Sequence, residues 1–278
     1  MRKPLGLFTI QSNEVKFLPI WLQHYAKILP QEDIHVIDHD SKYDMSPAKT
    51  NYPKVNWSNI SYRGHETQNF LMWYAGKVDE KQRELLSYYE VVMFVAADEL
   101  VFCKEDFIAC LRKYPNPVLW PQGYEIIHLP KQEPPLDWSR PVMQQRKFWF
   151  RNELYYSKPT LCRVGVTRTH GCHDISKSDA GGLHPHTIYN RADPQTALLQ
   201  CGKCIRPQEY ALVHINRVDY DYSVQRYASA FRPILNVPDY DPTFTNPQIE
   251  AHKKWIVSHT WGNPIEHIPQ RVIDTAGF

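Results

Sequence analysis

The stretch VVMFVAADEL, residues 91–100, sets seven apolar residues in a row directly before an Asp-Glu pair. An uncharged, Val-rich run of that length predicts a strand buried on both faces. Acids just past such a strand lie at the carboxyl edge of a sheet, where open α/β folds bind ligands. The competing reading makes Asp98 and Glu99 the solvated start of a following helix. Upstream, LGLFTI (5–10) predicts a strand and QSNE the turn after it. Leu18, Trp21, Leu22, Tyr25, Ile28 and Leu29 then form an apolar stripe at helical spacing. Pro19 is compatible with the first turn of that helix, where its missing N–H costs little. DIHVIDHDS predicts a second strand, NISYR a third, and residues 66–89 a long helix. After the 91–100 run come a helix near 105–113 and the apolar segment PVLWPQGYEI.

Strand, helix, strand, helix, strand within about 120 residues predicts a mostly parallel sheet with helices on both faces. Residues 129–193 differ in texture, being rich in Pro, Arg, His and aromatics with little periodicity. They read as ordered loops and short strands that wall a binding site. A late strand, YALVHI, precedes a short helix near 223–231. The expected organisation is an α/β half over 1–125 and an acceptor-side half over 126–278, without internal repeats.

The chain of 278 residues is 42% hydrophobic and 22% charged, with a formal charge of +2 and a pI of about 8.1. That balance fits an ordinary enzyme and gives no support to nucleic acid as a partner. No apolar run approaches the roughly 20 residues of a membrane span, and the basic N-terminal stretch is too short in apolar residues for a secretory signal. Six Cys suit a reducing compartment, so the expected localisation is cytoplasmic.

Three polar clusters follow successive predicted strands: Asn13-Glu14, Asp38 with Asp40, and Asp98-Glu99. In a parallel sheet they converge on one cleft, suited to a divalent metal or to ribose and base groups. Neither GxGxxG nor GxxxxGK[ST] is present, which argues against dinucleotide dehydrogenases and P-loop kinases. The loop RTHGCHDISKSDAGG offers His170, His173, Asp174 and Asp179 as candidate bases. Together with His184, His186, Cys201 and Cys204, its histidines could also assemble a zinc site, although CGK reads more simply as a hairpin turn. Arg140, Arg146, Lys147, Arg151 and Lys158 lie among aromatics. They fit either a solvated basic face or contacts to an anionic acceptor, a diphosphate or an anionic membrane surface.

NEVKFLPIWLQHY, then IHVIDHDS, then ADEL, resembles the GT-A glycosyltransferases of the family-2-like kind. Their Asn-Glu turn opens a helix carrying W-[LI]-x-H-[HY], their second strand ends in D-x-x-S (Asp38 and Ser41 here), and their fourth carries D-x-D-E-[FL]. YYSKPTLCRVGV and LVHINRVDYD resemble the family's Lys-containing segment and its late His segment, so the resemblance spans residues 5–221.

The resemblance implies a GT-A-like α/β fold that moves a sugar from a nucleotide-activated donor to an acceptor hydroxyl of a saccharide or glycolipid, with inversion and metal assistance. It assigns Asn13, Glu14, Asp38, Asp98, Glu99 and Lys158 to the nucleotide-sugar. Asp98 would hold Mn²⁺ or Mg²⁺, with His214 available as a second ligand. Ala96 departs from the pattern, standing where the first Asp of D-x-D belongs. The expected base is Asp174, assisted by His173. Two other readings compete: a degenerate GT-A domain that binds nucleotide or glycan without catalysis, and a zinc-dependent hydrolase.

Overall fold

The computed structural model describes residues 1–62, 67–151, 157–169, 172, 174–176, 200–201, 203–230, 254, 257–260 and 262–276. The first half runs β1 (Lys3–Gln11), α1 (Phe17–Tyr25), β2 (Ile34–His39), α2 (Ser46–Asn51), β3 (Asn56–Ile60), α3 (Thr67–Leu85) and β4 (Tyr89–Phe94). β5 (Glu99–Cys103), α4 (Phe107–Lys113), β6 (Val118–Leu119) and β7 (Gln122–Ile127) follow. The remainder supplies β8 (Phe148–Arg151), β9 (Leu161–Cys162), β10 (Gln200–Cys201), β11 (Cys204–Ile205), β12 (Tyr210–Arg217), α5 (Tyr220–Ala230), β13 (Ile265–His267) and α6 (Gln270–Ala276).

Among the described residues the strands form two sheets. The larger has the order β10-β11-β6-β9-β4-β1-β2-β3, and its run β4-β1-β2-β3 is wholly parallel. The smaller has the order β13-β8-β7-β12-β5, with β7 and β12 its only parallel pair. This second, mainly antiparallel sheet was not foreseen from the sequence. It draws on both chain halves, and the expected boundary at 125/126 falls inside β7.

The strand alternation explains the unbroken apolar runs. Leu5 and Leu7 of β1, and Val91 and Met93 of β4, join the core that contains α1. Phe8 and Ile10, with Val92 and Phe94, face the other way, onto Ala75, Val78 and Leu85 of α3. Successive side chains of a strand point to opposite faces, so a strand covered on both needs apolar residues at every position. The architecture is therefore α/β, with a sheet of mostly parallel strands and helices on both faces.

The 91–100 run is not one strand. β4 ends at Phe94, residues 95–98 turn, and β5 enters the second sheet antiparallel to β12. The helix-start reading of Asp98 and Glu99 is thereby corrected: a strand begins at Glu99. α1 ends at Tyr25, before the predicted Ile28 and Leu29, and Leu29 is still buried just beyond it. α4 begins where Asp106 accepts a hydrogen bond from the Ala109 N–H at 2.6 Å, an ordinary N-cap.

Candidate active site

The carboxyl ends of β1, β2 and β4 lie on one edge of the larger sheet, as parallel pairing requires. Two loops are tied together there. The Asp38 carboxylate accepts from Gln11 Nε2 and Ser41 Oγ, and from the Ser41 N–H at 3.2 Å. Asn13 donates its N–H to Ser41 Oγ at 2.8 Å and accepts from the Lys42 N–H through Oδ1 at 2.7 Å. Asn13 and Asp40 have φ of 58° and 50°. Asn and Asp tolerate that left-handed region better than other side chains with a Cβ. Asp38 and Asn13 thus brace the two loops they belong to. A carboxylate has about four acceptor sites, so Asp38 can take one further donor from a ligand.

Beside this brace lies an ion triad that links distant parts of the chain. Arg226 of α5 places Nη2 2.5 Å from Glu14 Oε1 and 3.1 Å from Asp98 Oδ2. Its guanidinium lies 5.2 Å from the centre of the Phe17 ring, within cation–π range. Burial raises the Glu14 carboxyl pKa against the opposing pull of Arg226, and the Asp98 charge adds to the rise. Tyr222 and Tyr43 are both pushed up to about 12, first by burial, with Glu14 among the charges that add to it.

Behind the triad sits a second ionic pair. Lys158 Nζ donates to Glu99 Oε1, with side chains 12% and 2% exposed. Burial works against the Lys158 charge, but the Glu99 carboxylate outweighs it and leaves the ammonium pKa raised. The other Glu99 oxygen accepts from the Ala96 N–H at 2.9 Å, closing the 95–98 turn. His214 Nδ1 lies 3.6 Å from Glu99 Oε1, and the Asp98 carbonyl accepts from the Ile215 N–H at 2.9 Å. β12 therefore fastens the turn from below.

The W-L-Q-H-Y segment on α1 anchors the same turn from the other side. The Tyr25 hydroxyl accepts from the Val101 N–H at 2.8 Å and donates to the Glu99 carbonyl at 3.4 Å. His24 Nε2 donates to the Val101 carbonyl at 3.0 Å. Burial lowers the His24 pKa to about 4, which keeps the ring neutral. Sequence reasoning treated this segment as a family pattern and missed its physical task, which is to fix β5. Arg226 was missed too; the only hint was Tyr222 and Arg226 at helical spacing in YDYSVQRYASA.

Asp98 is engaged by Arg226, while His214 faces Glu99. Glu99 is already held by Lys158 and the Ala96 N–H, and position 96 has no carboxylate. Among the described residues, no three His, Cys, Asp or Glu side chains gather as a metal-ligand set. The described donor set does not fit the Mn²⁺ or Mg²⁺ that the resemblance implies. The basic residues also fail to form one face, because Arg146 is buried against the Val218 carbonyl and Asp219 while Lys158 is buried on Glu99.

Asp174 is 4% exposed, and its Oδ1 accepts from the Ile175 N–H at 2.8 Å. It lies on the segment bridged between Arg168 and Ile175, which docks on α3 through a 2.9 Å ion pair from Arg168 to Asp79. His173, and with it the His173–Asp174 pairing, lies outside the described residues, as do His170, Asp179, His184 and His186. The backbones of Cys201 and Cys204 pair in register across the antiparallel β10–β11 pair, as the hairpin reading of CGK predicts. Among the described residues no helix is long and apolar enough to cross a membrane.

No protein-family profile matches the sequence, and no curated protein matches it. Among solved structures, S. aureus TarS is similar over 92% of this chain at 15% identity and a TM-score of 0.38. The chain spans 42% of the TarS chain. A candidate nucleotide-diphospho-sugar transferase from Desulfovibrio desulfuricans G20 is similar over 44% of this chain and 59% of its own length, at 11% identity and a TM-score of 0.25. At these scores neither likeness bears on the site.

Proposed function

We propose that this protein is a glycosyltransferase that moves a sugar from a nucleotide-activated donor to an acceptor hydroxyl on a saccharide or glycolipid, with inversion. The observation that carries the reading is the convergence of Asn13, Asp38, Glu14 and Asp98 at the carboxyl edge of a parallel sheet, as the motif resemblance requires. A donor nucleotide would meet Asp38 and the Asn13 loop through ribose and base hydrogen bonds. The sugar-bearing end would point toward Asp98. Inversion needs one base to take the acceptor proton, and Asp174, with His173 beside it in sequence, is the pair to test for that role.

A second reading is favoured by one specific feature. Ala96 removes a carboxylate from D-x-D, which suits a domain that binds nucleotide or glycan without turnover.

Thermal unfolding with UDP, GDP and dTDP, each with Mn²⁺ and with EDTA, tests the reading. A ligand at 100 times its Kd stabilises the native state by about 2.7 kcal/mol. One nucleotide is expected to raise Tm in the wild-type protein and to lose most of that effect in Asp38→Asn. If no nucleotide shifts Tm at millimolar concentration, the glycosyltransferase reading fails. Release of free sugar from the matching donor then separates an enzyme from a binding domain.

A further inference from the structure

We infer that Arg226 is the resident cation of this cleft, standing where a divalent ion would have to sit, so that phosphate-bearing ligands are met by a guanidinium instead of a metal. A cation shared by Glu14 and Asp98 must lie between their carboxylates, and Arg226 Nη2 already contacts both, at 2.5 and 3.1 Å. The other groups at the turn cannot rebuild a ligand set around it. Glu99 is bound to Lys158 and to the Ala96 N–H, His214 faces Glu99, and residue 96 is Ala.

Arg226 is also held firmly from its own side. The Asp219 carboxylate accepts from the Tyr222 N–H at 2.9 Å at the start of α5. Asp219 in turn lies 3.6 Å from the fully buried Arg146, and the Ser223 hydroxyl donates to the Asn216 carbonyl at 2.6 Å. The helix that carries Arg226 is therefore pinned about one turn before it. The Phe17 ring supports the guanidinium from α1. A planar guanidinium matches phosphate oxygens in pairs, which an ammonium cannot do. The cation at this edge thus belongs to the chain and is not recruited from solution. The part of this inference that concerns nucleotides rests on the glycosyltransferase reading, but the part that concerns the cation position does not.

The test is Mn²⁺ binding to the free chain, followed by electron paramagnetic resonance without any nucleotide. Wild type should take up no Mn²⁺ that depends on Asp98. Arg226→Gln leaves Glu14 and Asp98 without their counter-ion and should raise Mn²⁺ affinity about tenfold or more, the size of a one-unit pKa effect. Arg226→Lys should not, and Arg226→Gln with Asp98→Asn should lose the gain. In a second arm, a nucleoside diphosphate that stabilises wild type should do so equally with Mn²⁺ or EDTA, and Arg226→Gln should abolish the shift in EDTA. Mn²⁺ uptake by wild type that Asp98→Asn removes, or no gain in Arg226→Gln, overturns the inference. Absence of any nucleotide effect overturns only the glycosyltransferase reading, because the Mn²⁺ arm still decides this one. Should Arg226→Gln fail to fold, wild type and Asp98→Asn suffice: no uptake by either upholds the inference, and uptake by wild type alone sinks it.

Discussion

Lys158 and Glu99, 59 positions apart, form an ion pair withdrawn from solvent beneath the cleft. The pair joins the start of β5 to the segment that leads into β9. Removing one partner leaves the other charge buried without compensation, which costs about 3–5 kcal/mol. Lys158→Met and Glu99→Gln should each lower stability by that order in urea unfolding. The double variant should be less damaged than the sum of the two. Purely additive losses would show that the pair is not coupled.

His24 makes acid stability a local property. Folding holds its pKa at about 4 against an ordinary 6.5. Between those values the unfolded chain binds a proton that the folded chain refuses, so stability is complete above pH 6.5 and drains as pH falls toward 4. The loss amounts to about 3 kcal/mol over that window. Unfolding curves of His24→Gln should be flatter than wild type between pH 6.5 and 4. An identical slope would rule His24 out as the source.

Asp174 can be a base, a brace or both, and two substitutions separate these roles. Asp174→Asn keeps an oxygen for the Ile175 N–H and should change stability by less than ~1 kcal/mol, whereas Asp174→Ala loses the hydrogen bond and should cost about 1–3 kcal/mol. If Asp174 is the base, Asp174→Asn should also cut transfer by about 10²–10⁴-fold while nucleotide binding is retained. Wild-type transfer in a stable Asp174→Asn protein would remove it from the chemistry.

Gly6 has a packing role that the strand pattern concealed. A Cβ there would stand 2.5 Å from Tyr89 Cδ2 and 2.7 Å from two further ring atoms. Tyr89 is tethered by its hydroxyl, which donates to Asp33 at 3.0 Å. Gly6→Ala should therefore destabilise by about 1–3 kcal/mol, the usual cost of overpacking. Tyr89→Phe should soften that cost by freeing the ring. An unchanged Tm in Gly6→Ala would mean that the β1–β4 pair yields easily.

The first half of the fold was legible because each element carries its own period. β1, β2 and β4 read as strands, and α1 and α3 as helices, from residues that neighbour one another in the chain. The convergence of Asn13, Asp38 and Asp98 followed from parallel pairing alone. What escaped was long-range. Nothing near Glu14 announces an arginine 212 positions later, and nothing near Glu99 announces Lys158. The second sheet was hidden for a similar reason. Leu100, Val101 and Phe102 continue the apolar character of β4, so the only sign of the turn between them is the Asp98-Glu99 pair.

That turn has a mechanical consequence. β4 and β5 are consecutive in the chain but belong to different sheets, so residues 95–98 are a short covalent joint between the sheets, as are residues 120–121 between β6 and β7. Tyr25 and His24 rivet the β5 side to α1, and the Ile215 N–H rivets the Asp98 carbonyl to β12. At this joint, shear between the sheets falls on the few backbone torsions just before Asp98. The Ala96 and Ile215 amides should consequently exchange hydrogen together, as one unit, and any ligand that draws Asp98 outward should speed both at once. The position of this one carboxylate is a gauge of how the two sheets lie against each other.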